Sequence, residues 1–220
     1  MAKNLGKIKK FIKNKIIREV ARNENIYYLP AGVSNRHLHL SRSHLENLFG
    51  TNYELGSLKG LSQPGQFAAE ETVTLKGPKG KLEKVRVLGP VREETQVEIS
   101  ITDSYKLGVE PVIRKSGNLE GTPGVKLYGP RGKVELSKGV IVAARHLHLS
   151  GETAKIFGLQ DGDRIEVEKK GVRPIIFRDV IVRVSPDYFL EFHIDTDEAN
   201  AANIKNGDLL IMRPGSINRS

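Results

Sequence analysis

A hexapeptide that occurs twice constrains this chain more than any other feature. The sequence Arg-His-Leu-His-Leu-Ser stands at residues 36–41 and again at 145–150, and the two copies hold four of the six histidines. Alternation of histidine with leucine predicts a strand, on which residues i and i+2 point to the same face. The two imidazoles of each copy would then converge as ligands for a borderline metal such as zinc. A histidine pair on a strand also serves packing or hydrogen bonding, but packing accepts many apolar substitutes and does not call for identical repetition.

Turn signals extend this internal duplication and favour a mainly β fold. Gly77-Pro-Lys-Gly80 and Gly129-Pro-Arg-Gly132 predict related hairpin turns. Asp161-Gly162 and Asn206-Gly207 each predict a turn before a strand. Short strands are predicted at residues 26–29, 33–40, 71–76, 82–88 and 95–102. One short helix is predicted at residues 41–49, and an irregular stretch at about 50–70. Many short strands with few helices are typical of barrels or sandwiches.

Composition excludes several classes of protein. The chain of 220 residues has no cysteine, so disulfides, thiolate ligands and a cysteine nucleophile are excluded. No apolar run is long enough for a membrane span, and no secretory signal is visible, so we expect a cytoplasmic protein without an integral membrane segment. Of the net charge of +9, residues 1–22 carry +7, so the body is close to neutral and a nucleic-acid partner is not expected.

The basic N-terminal segment, residues 1–22, predicts an amphipathic helix. Leu5, Ile8, Ile12 and Ile16 follow steps of three or four residues, and Phe11 and Val20 widen the stripe. Three interpretations stay open: the helix docks on a partner protein, packs on its own domain or another subunit, or lies on an anionic membrane.

Two further residues could complete metal sites beside the histidine pairs. His193 lies near the end of a predicted strand, just before a helix capped at Asp195 or Thr196, and could join His146 and His148; a lone buried histidine is the alternative. Glu98 could join His37 and His39, although its alternating strand could equally be a solvent-facing edge. His44 is expected on the exposed face of the helix at 41–49, outside any site.

Two features suggest an anion near these sites. Arg92 could bind two oxygens of a phosphate or carboxylate through its planar guanidinium. Ser116 opens a loop, residues 116–124, that is rich in hydroxyl and backbone N–H donors. A P-loop, a dinucleotide-binding glycine motif and a serine-hydrolase elbow are all absent from the sequence.

Taken together, these motifs resemble the PduL-type phosphate propanoyltransferases, in order from about residue 30 to residue 213. The motifs that carry the resemblance are Val33-Ser-Asn-Arg-His-Leu-His-Leu-Ser41, the second hexapeptide, Leu88-Gly-Pro-Val-Arg92, Thr95-Gln-Val-Glu-Ile-Ser100, Ser116-Gly-Asn-Leu-Glu-Gly-Thr-Pro-Gly124 and Phe192-His-Ile-Asp-Thr-Asp-Glu-Ala-Asn-Ala201. The resemblance implies an acyltransferase that interconverts acyl-CoA plus phosphate with acyl phosphate plus CoA. Propanoyl-CoA and acetyl-CoA both fit this pattern, and a homo-oligomer is compatible with it.

The resemblance also implies a fold of two intertwined, internally duplicated β-barrels with helical caps around a dinuclear metal site. Residues 23–35 with 144–220 would form the first barrel, and residues 36–143 the second. The N-terminal segment would be an encapsulation peptide that binds shell or core proteins of a bacterial microcompartment.

The resemblance further assigns roles to individual residues. His37, His39 and Glu98 match the ligands of one metal, which also meets the CoA sulfur, and His146, His148 and His193 match those of the other. Two zinc ions per chain are implied, with cobalt or another divalent metal as alternatives. Arg92 matches the phosphate-binding arginine. The remaining candidates for binding CoA or phosphate are Ser34, Lys59, Arg86, Ser116 and Asn200.

Two other functions are compatible with the residues. A metal-dependent thioester hydrolase would use the metals to activate water. A duplicated metal-binding module without catalysis would bind metal but not CoA.

Overall fold

A computed structural model describes residues 2–213, 215, 217 and 218, without the side chains of residues 2–7 and 10. The helices are α1 (Ala2–Glu24), α2 (Arg42–Phe49), α3 (Ile101–Leu107), α4 (Gly151–Phe157) and α5 (Thr196–Ala202). The strands are β1 (Tyr28–Ser34), β2 (His37–His39), β3 (Ser57–Gly60), β4 (Phe67–Lys76), β5 (Lys81–Gly89), β6 (Gln96–Glu98), β7 (Ile113–Arg114), β8 (Lys126–Tyr128), β9 (Lys133–Glu135), β10 (Val140–Ala143), β11 (His146–Leu149), β12 (Arg164–Lys169), β13 (Ile175–Val184), β14 (Glu191–Asp195) and β15 (Leu209–Met212). The chain divides into two compact units, of which unit 1 is Met1–Ser34 with Arg145–Ser220 and unit 2 is Asn35–Ala144.

Unit 1 is a closed barrel of six strands in the order β1-β14-β11-β13-β12-β15. Its core is built from inward-facing residues of these strands, among them Leu29, Leu147, Val167 and Phe192, all fully buried. Pro30 lies inside β1, whereas the sequence predicted a break there. Pairing of β1 with β14 begins only at Ala31, so the missing N–H of the proline leaves no gap in that ladder.

Unit 2 is a curled sheet in the order β7-β10-β6-β2-β5-β4-β8-β9, with β3 paired to β4. The turns from β4 to β5 and from β8 to β9 are those predicted from sequence: Gly77 N–H donates to Gly80 O, and Gly129 N–H donates to Gly132 O. The predicted fold class is therefore confirmed, because the described chain is mainly β, with a barrel, a curled half-barrel sheet and helices between strands.

Two local predictions in unit 2 were wrong. The strand predicted over 95–102 ends at Glu98, and α3 begins at Ile101. Ser100 caps this helix, because its Oγ accepts from Asp103 N–H while the Asp103 carboxylate accepts from Ser100 N–H. The stretch predicted as irregular at about 50–70 contains β3 and the start of β4.

The N-terminal segment forms the predicted helix, and its C-terminal half packs within unit 1. Ile17 and Ala21 belong to the core of that unit, Lys13 Nζ donates to Gly207 O, and Arg18 forms an ion pair with Glu152 of α4. A second set of apolar side chains faces outward: Ile8, Phe11, Ile12 and Ile16. Leu5, which the sequence placed in the same stripe, lies outside the described side chains. Within the described residues, no helix is both long and apolar enough to cross a membrane.

Candidate metal centres

The first cluster lies in unit 2, where β2 pairs antiparallel with β6. This register sets His37 opposite Glu98 and His39 opposite Gln96. One ligand atom from each of His37, His39 and Glu98 lies within 4.8 Å of the others. Because β6 is an interior strand between β10 and β2, the alternative of a solvent-facing edge for Glu98 is wrong.

Hydrogen bonds around this cluster leave ligand atoms facing inward. His37 Nδ1 lies 2.8 Å from Asn35 O, and a carbonyl oxygen can only accept, so Nδ1 carries the proton of the neutral ring. His37 Nε2 then offers its lone pair, and it lies 3.4 Å from Glu98 Oε2. A backbone carbonyl that fixes the tautomer in this way is a common feature of metal-binding histidines.

The second cluster lies in unit 1, where β11 pairs antiparallel with β14. His146 lies opposite His193 and His148 lies opposite Glu191. The ligand atoms of the three histidines again lie within 4.8 Å of one another. The ring of Tyr188 stacks on the ring of His148, with centroids 4.1 Å apart and an angle of 26° between the planes. The helix after β14 begins with Asp195 as its cap, as the sequence predicted.

Buried nitrogens without partners show that both clusters suit a metal ion. Among the described atoms, none hydrogen-bonds Nδ1 of His39 or either ring nitrogen of His148, although these nitrogens are fully buried. A buried polar atom left unpaired costs about 1–3 kcal/mol, so such atoms are rare without a function. A set of histidine nitrogens with at most one carboxylate is a donor set that zinc and similar divalent metals prefer.

Electrostatics keep two of these imidazoles in the form that binds metals. Burial, with smaller contributions from the charges of Arg92 and His37, lowers the pKa of His39 from 6.5 to about 3. Burial, with smaller contributions from His146 and His193, lowers the pKa of His148 from 6.5 to about 2. Both rings are therefore neutral near pH 7, and a neutral imidazole is the ligand form.

Each cluster has an outer partner that the sequence analysis did not assign to the site. Gln96 Nε2 lies 2.6 Å from Glu98 Oε1, and Glu191 Oε2 lies 2.9 Å from His193 Nε2. Each residue lies two positions before the candidate ligand that it contacts. Residues i and i+2 of a strand share a face, so the sequence places each outer partner on the same face as that ligand.

Arg92 lies beside the first cluster. Its backbone N–H donates to Leu40 O at 2.9 Å, which holds the chain after β5 against the end of β2. Its positive charge is close enough to lower the pKa of His39. The structure therefore places a positive charge near the histidine pair of unit 2.

The other candidates occupy varied positions. In unit 2, Ser116 Oγ accepts from Gln96 Nε2 at 2.8 Å, and the guanidinium of Arg86 donates to the carbonyls of Ala69 and Glu70. Lys59 is exposed on β3.

In unit 1, Ser34 ends β1 opposite Asp195, and Asn200 is exposed on α5. Among the described residues, neither side chain hydrogen-bonds a histidine of the cluster.

His44 differs from its predicted exposure. It lies on α2 but is half-buried, and its Nδ1 lies 2.8 Å from Thr95 Oγ1. Burial lowers its pKa from the ordinary value. The physical reason is that the threonine just before β6 lies against the first turn of α2, which sequence periodicity does not reveal.

Comparison with known proteins gives the family of this chain. A family model described as phosphate propanoyltransferase matches residues 30–205. The phosphate propanoyltransferase of Thermotoga maritima is 58% identical over 180 residues, which cover 81% of this chain and 86% of the relative. That of Salmonella typhimurium is 54% identical over 179 residues, covering 81% and 85%. That of Rhodopseudomonas palustris is 52% identical over 184 residues, covering 84% and 81%. The chain therefore belongs to the phosphate propanoyltransferases, a family of acyltransferases.

Proposed function

We propose that this phosphate propanoyltransferase binds one divalent metal ion, zinc in the first instance, in each of its two clusters. We further propose the reaction that the resemblance implies, in which propanoyl-CoA or acetyl-CoA reacts with phosphate at a dinuclear metal site to give acyl phosphate and CoA. The observation that carries it is the set of buried, unpartnered nitrogens on His39 and His148. Cobalt or another divalent metal would satisfy the same ligands.

The proposed reaction joins phosphate to the acyl group directly. A phosphate oxygen attacks the thioester carbonyl carbon, the C–S bond breaks, and CoA leaves as a thiolate. When bound, a divalent metal supplies Lewis acidity that stabilises a thiolate and polarises a carbonyl. The chain has no cysteine, and direct attack needs no covalent intermediate on the enzyme.

Arg92 is the residue we assign to phosphate. A guanidinium binds two phosphate oxygens at once, neutralises part of their charge and fixes the direction of attack. The backbone hydrogen bond from Arg92 to Leu40 holds the main chain of Arg92 beside the residue that follows His39. Ser34, Lys59, Arg86, Ser116 and Asn200 remain proposed contacts of CoA or phosphate.

The test is release of free CoA thiol from propanoyl-CoA, with and without phosphate, before and after metal removal. We expect release to require both phosphate and metal. Release without phosphate would instead identify a hydrolase. Bound metal without any release would identify a binding module that does not catalyse.

A matched pair of arginine variants tests the phosphate site. Arg92→Gln should lower kcat/KM for phosphate by roughly 100-fold, because a charged bidentate contact is lost. Arg131→Gln removes an exposed arginine of the same unit, in the turn between β8 and β9, and should leave kcat/KM unchanged. Equal kcat/KM values for phosphate in the two variants would show that Arg92 does not bind phosphate in the reaction.

We also propose that the outward face of α1, defined as Ile8, Phe11, Ile12 and Ile16, binds a protein of a bacterial microcompartment. These side chains are 47–58% exposed, so replacing them leaves the core of unit 1 intact. Phe11→Ser, Ile12→Ser and Ile16→Ser together should abolish co-sedimentation with isolated microcompartments while activity is retained. Unchanged co-sedimentation of the triple variant would contradict this assignment.

A further inference from the structure

The two clusters carry a matching outer residue at the same register position. Gln96 lies opposite His39, and Glu191 lies opposite His148. Each side chain contacts the third member of its cluster, which follows two residues later on the same strand. The duplicated fold thus provides one outer position per cluster and fills it with an amide in one unit and a carboxylate in the other.

In unit 2, the side chain of Gln96 has all its main hydrogen-bonding groups engaged. Its Nε2 donates to Glu98 Oε1 at 2.6 Å and to Ser116 Oγ at 2.8 Å, and its Oε1 accepts from Gly117 N–H at 2.7 Å. The orientation of the amide is unambiguous, because a carboxylate accepts and a backbone N–H donates. Gln96 thereby holds Glu98 Oε1 and leaves Oε2 facing His37 Nε2.

In unit 1, the polarity of the contact is reversed. The side chain of Glu191 is 10% exposed, and its Oε2 lies 2.9 Å from His193 Nε2. A carboxylate accepts this hydrogen bond, so Nε2 carries the ring proton and Nδ1 keeps its lone pair. Gly32 on the neighbouring strand makes room for the carboxylate, since a Cβ there would lie 3.0 Å from Cγ and Cδ of Glu191.

We propose that Gln96 and Glu191 are equivalent positioning residues whose hydrogen-bond polarity is matched to the ligand each one orients. An anionic ligand, Glu98, needs a donor and receives an amide. An imidazole ligand, His193, needs an acceptor and receives a carboxylate. Loss of such an outer partner typically weakens metal binding 10–100-fold. This inference rests on the proposed binding of a metal in each cluster.

The experiment measures zinc affinity of one cluster at a time in the full chain. His148→Ala leaves the cluster of unit 2 as the remaining site, and His39→Ala leaves that of unit 1. Competition with a chromophoric chelator then gives the zinc affinity in each background. In the His148→Ala background, Gln96→Leu should weaken binding at least 10-fold and Glu191→Leu should change it less than about threefold. In the His39→Ala background, Glu191→Leu should weaken binding at least 10-fold and Gln96→Leu should change it less than about threefold.

Conservative variants and a spectroscopic readout separate positioning from folding. Glu191→Gln keeps an acceptor oxygen, so zinc affinity should stay within about threefold of the parent. In ¹⁵N NMR spectra of the metal-free protein, His193 should carry its proton on Nε2 in the wild type and in Glu191→Gln. In Glu191→Leu the proton should distribute over both nitrogens, while far-UV circular dichroism stays that of a folded protein.

The outcomes separate failure of this inference from failure of the proposed function. A wild-type chain that binds no zinc would overturn metal binding itself. Zinc binding in both backgrounds, with affinity unchanged by both leucine variants, would overturn the positioning roles alone. A loss in Glu191→Gln as large as in Glu191→Leu would make the carboxylate a ligand and would likewise overturn its role as a positioning residue.

Discussion

Arg36 forms an ion pair with Asp103, with 2.6 Å between Nη2 and Oδ1. Arg145, at the same place in the second hexapeptide, forms one with Glu198, with 2.8 Å between Nε and Oε1. Each acid is the third residue of the helix that follows the strand carrying the third cluster residue. The arginine of the repeat therefore ties each His-x-His strand to that helix, and this accounts for its identity in both copies.

Replacing Arg36 should destabilise the protein although no proposed metal ligand is substituted. Asp103 is only 3% exposed, so Arg36→Ala leaves a buried carboxylate with fewer partners. We expect a loss of about 1–3 kcal/mol in the free energy of unfolding, measured with urea. The control is Arg42→Ala, which breaks a pair with the exposed Glu54 and should cost about 0.5 kcal/mol. Equal losses in the two variants would contradict the role given to Arg36.

Two adjacent isoleucines of α1 should behave differently. Ile17 is 4% exposed and belongs to the core of unit 1, whereas Ile16 is 58% exposed. Ile17→Ala should lower the free energy of unfolding by about 2–4 kcal/mol, and Ile16→Ala by less than about 0.5 kcal/mol. Thermal and urea unfolding would measure both. A similar small effect for both residues would mean that α1 does not pack on the barrel in solution.

This packing also changes the expected result of deleting residues 1–22. If residues 1–22 act only as the encapsulation peptide that the family resemblance implies, such a deletion should leave activity intact and abolish compartment loading. Because the deletion takes Ile17 and Ala21 out of the core, we expect a destabilised enzyme. Substitution of outward-facing residues is therefore the better test of targeting.

Acid should destabilise the metal-free protein through His148. Its pKa is lowered to about 2 by burial, so between pH 6.5 and pH 2 the unfolded chain binds a proton there and the folded chain does not. The contribution of His148 to the free energy of unfolding is therefore fully present above pH 6.5. Below that pH it falls by about 1.4 kcal/mol per pH unit. Urea unfolding at pH 7, 6 and 5 should show a shallower loss for His148→Gln than for the wild type. Parallel pH dependences would refute the neutral, buried state of His148.

Tyr188 should stabilise the orientation of His148. Neither ring nitrogen of His148 has a hydrogen-bond partner among the described residues, so ring stacking is a main restraint on the imidazole. Tyr188→Phe keeps the stack and should leave zinc affinity within about twofold, while Tyr188→Ala should weaken it roughly fivefold to tenfold. The affinities would be measured in the His39→Ala background. A strong effect of Tyr188→Phe would assign the function to the hydroxyl instead.

Local pattern was enough to predict much of the candidate site. His-x-His on a strand places two side chains on one face, and an acidic cap at Asp195 places His193 at a strand end. The capping box of Ser100 and Asp103 was also readable, but β-branched Ile101 and Thr102 favoured a longer strand. Here the side-chain cap outweighed the weak β preference.

Other features depend on contacts that are distant in sequence. Glu98 is interior only because β10, some forty residues later, covers β6. Gln96 is fixed by Ser116 and Gly117, in a loop about twenty residues away. Periodicity within one strand shows that Gln96 and Glu191 share a face with Glu98 and His193, but it carries no information on the pairings between strands that place these side chains at the clusters.

The insertion of unit 2 between β1 and β11 sets an order of events during protein synthesis. All strands of unit 2 lie within one continuous segment, Asn35–Ala144, and can pair as soon as that segment has left the ribosome. The β1 strand instead pairs with β14 and β15, which are synthesised only after the whole of unit 2. We therefore expect a nascent chain to carry β1 with unpaired edges after unit 2 has folded, and closure of the barrel across so long a loop to be slower than folding of unit 2.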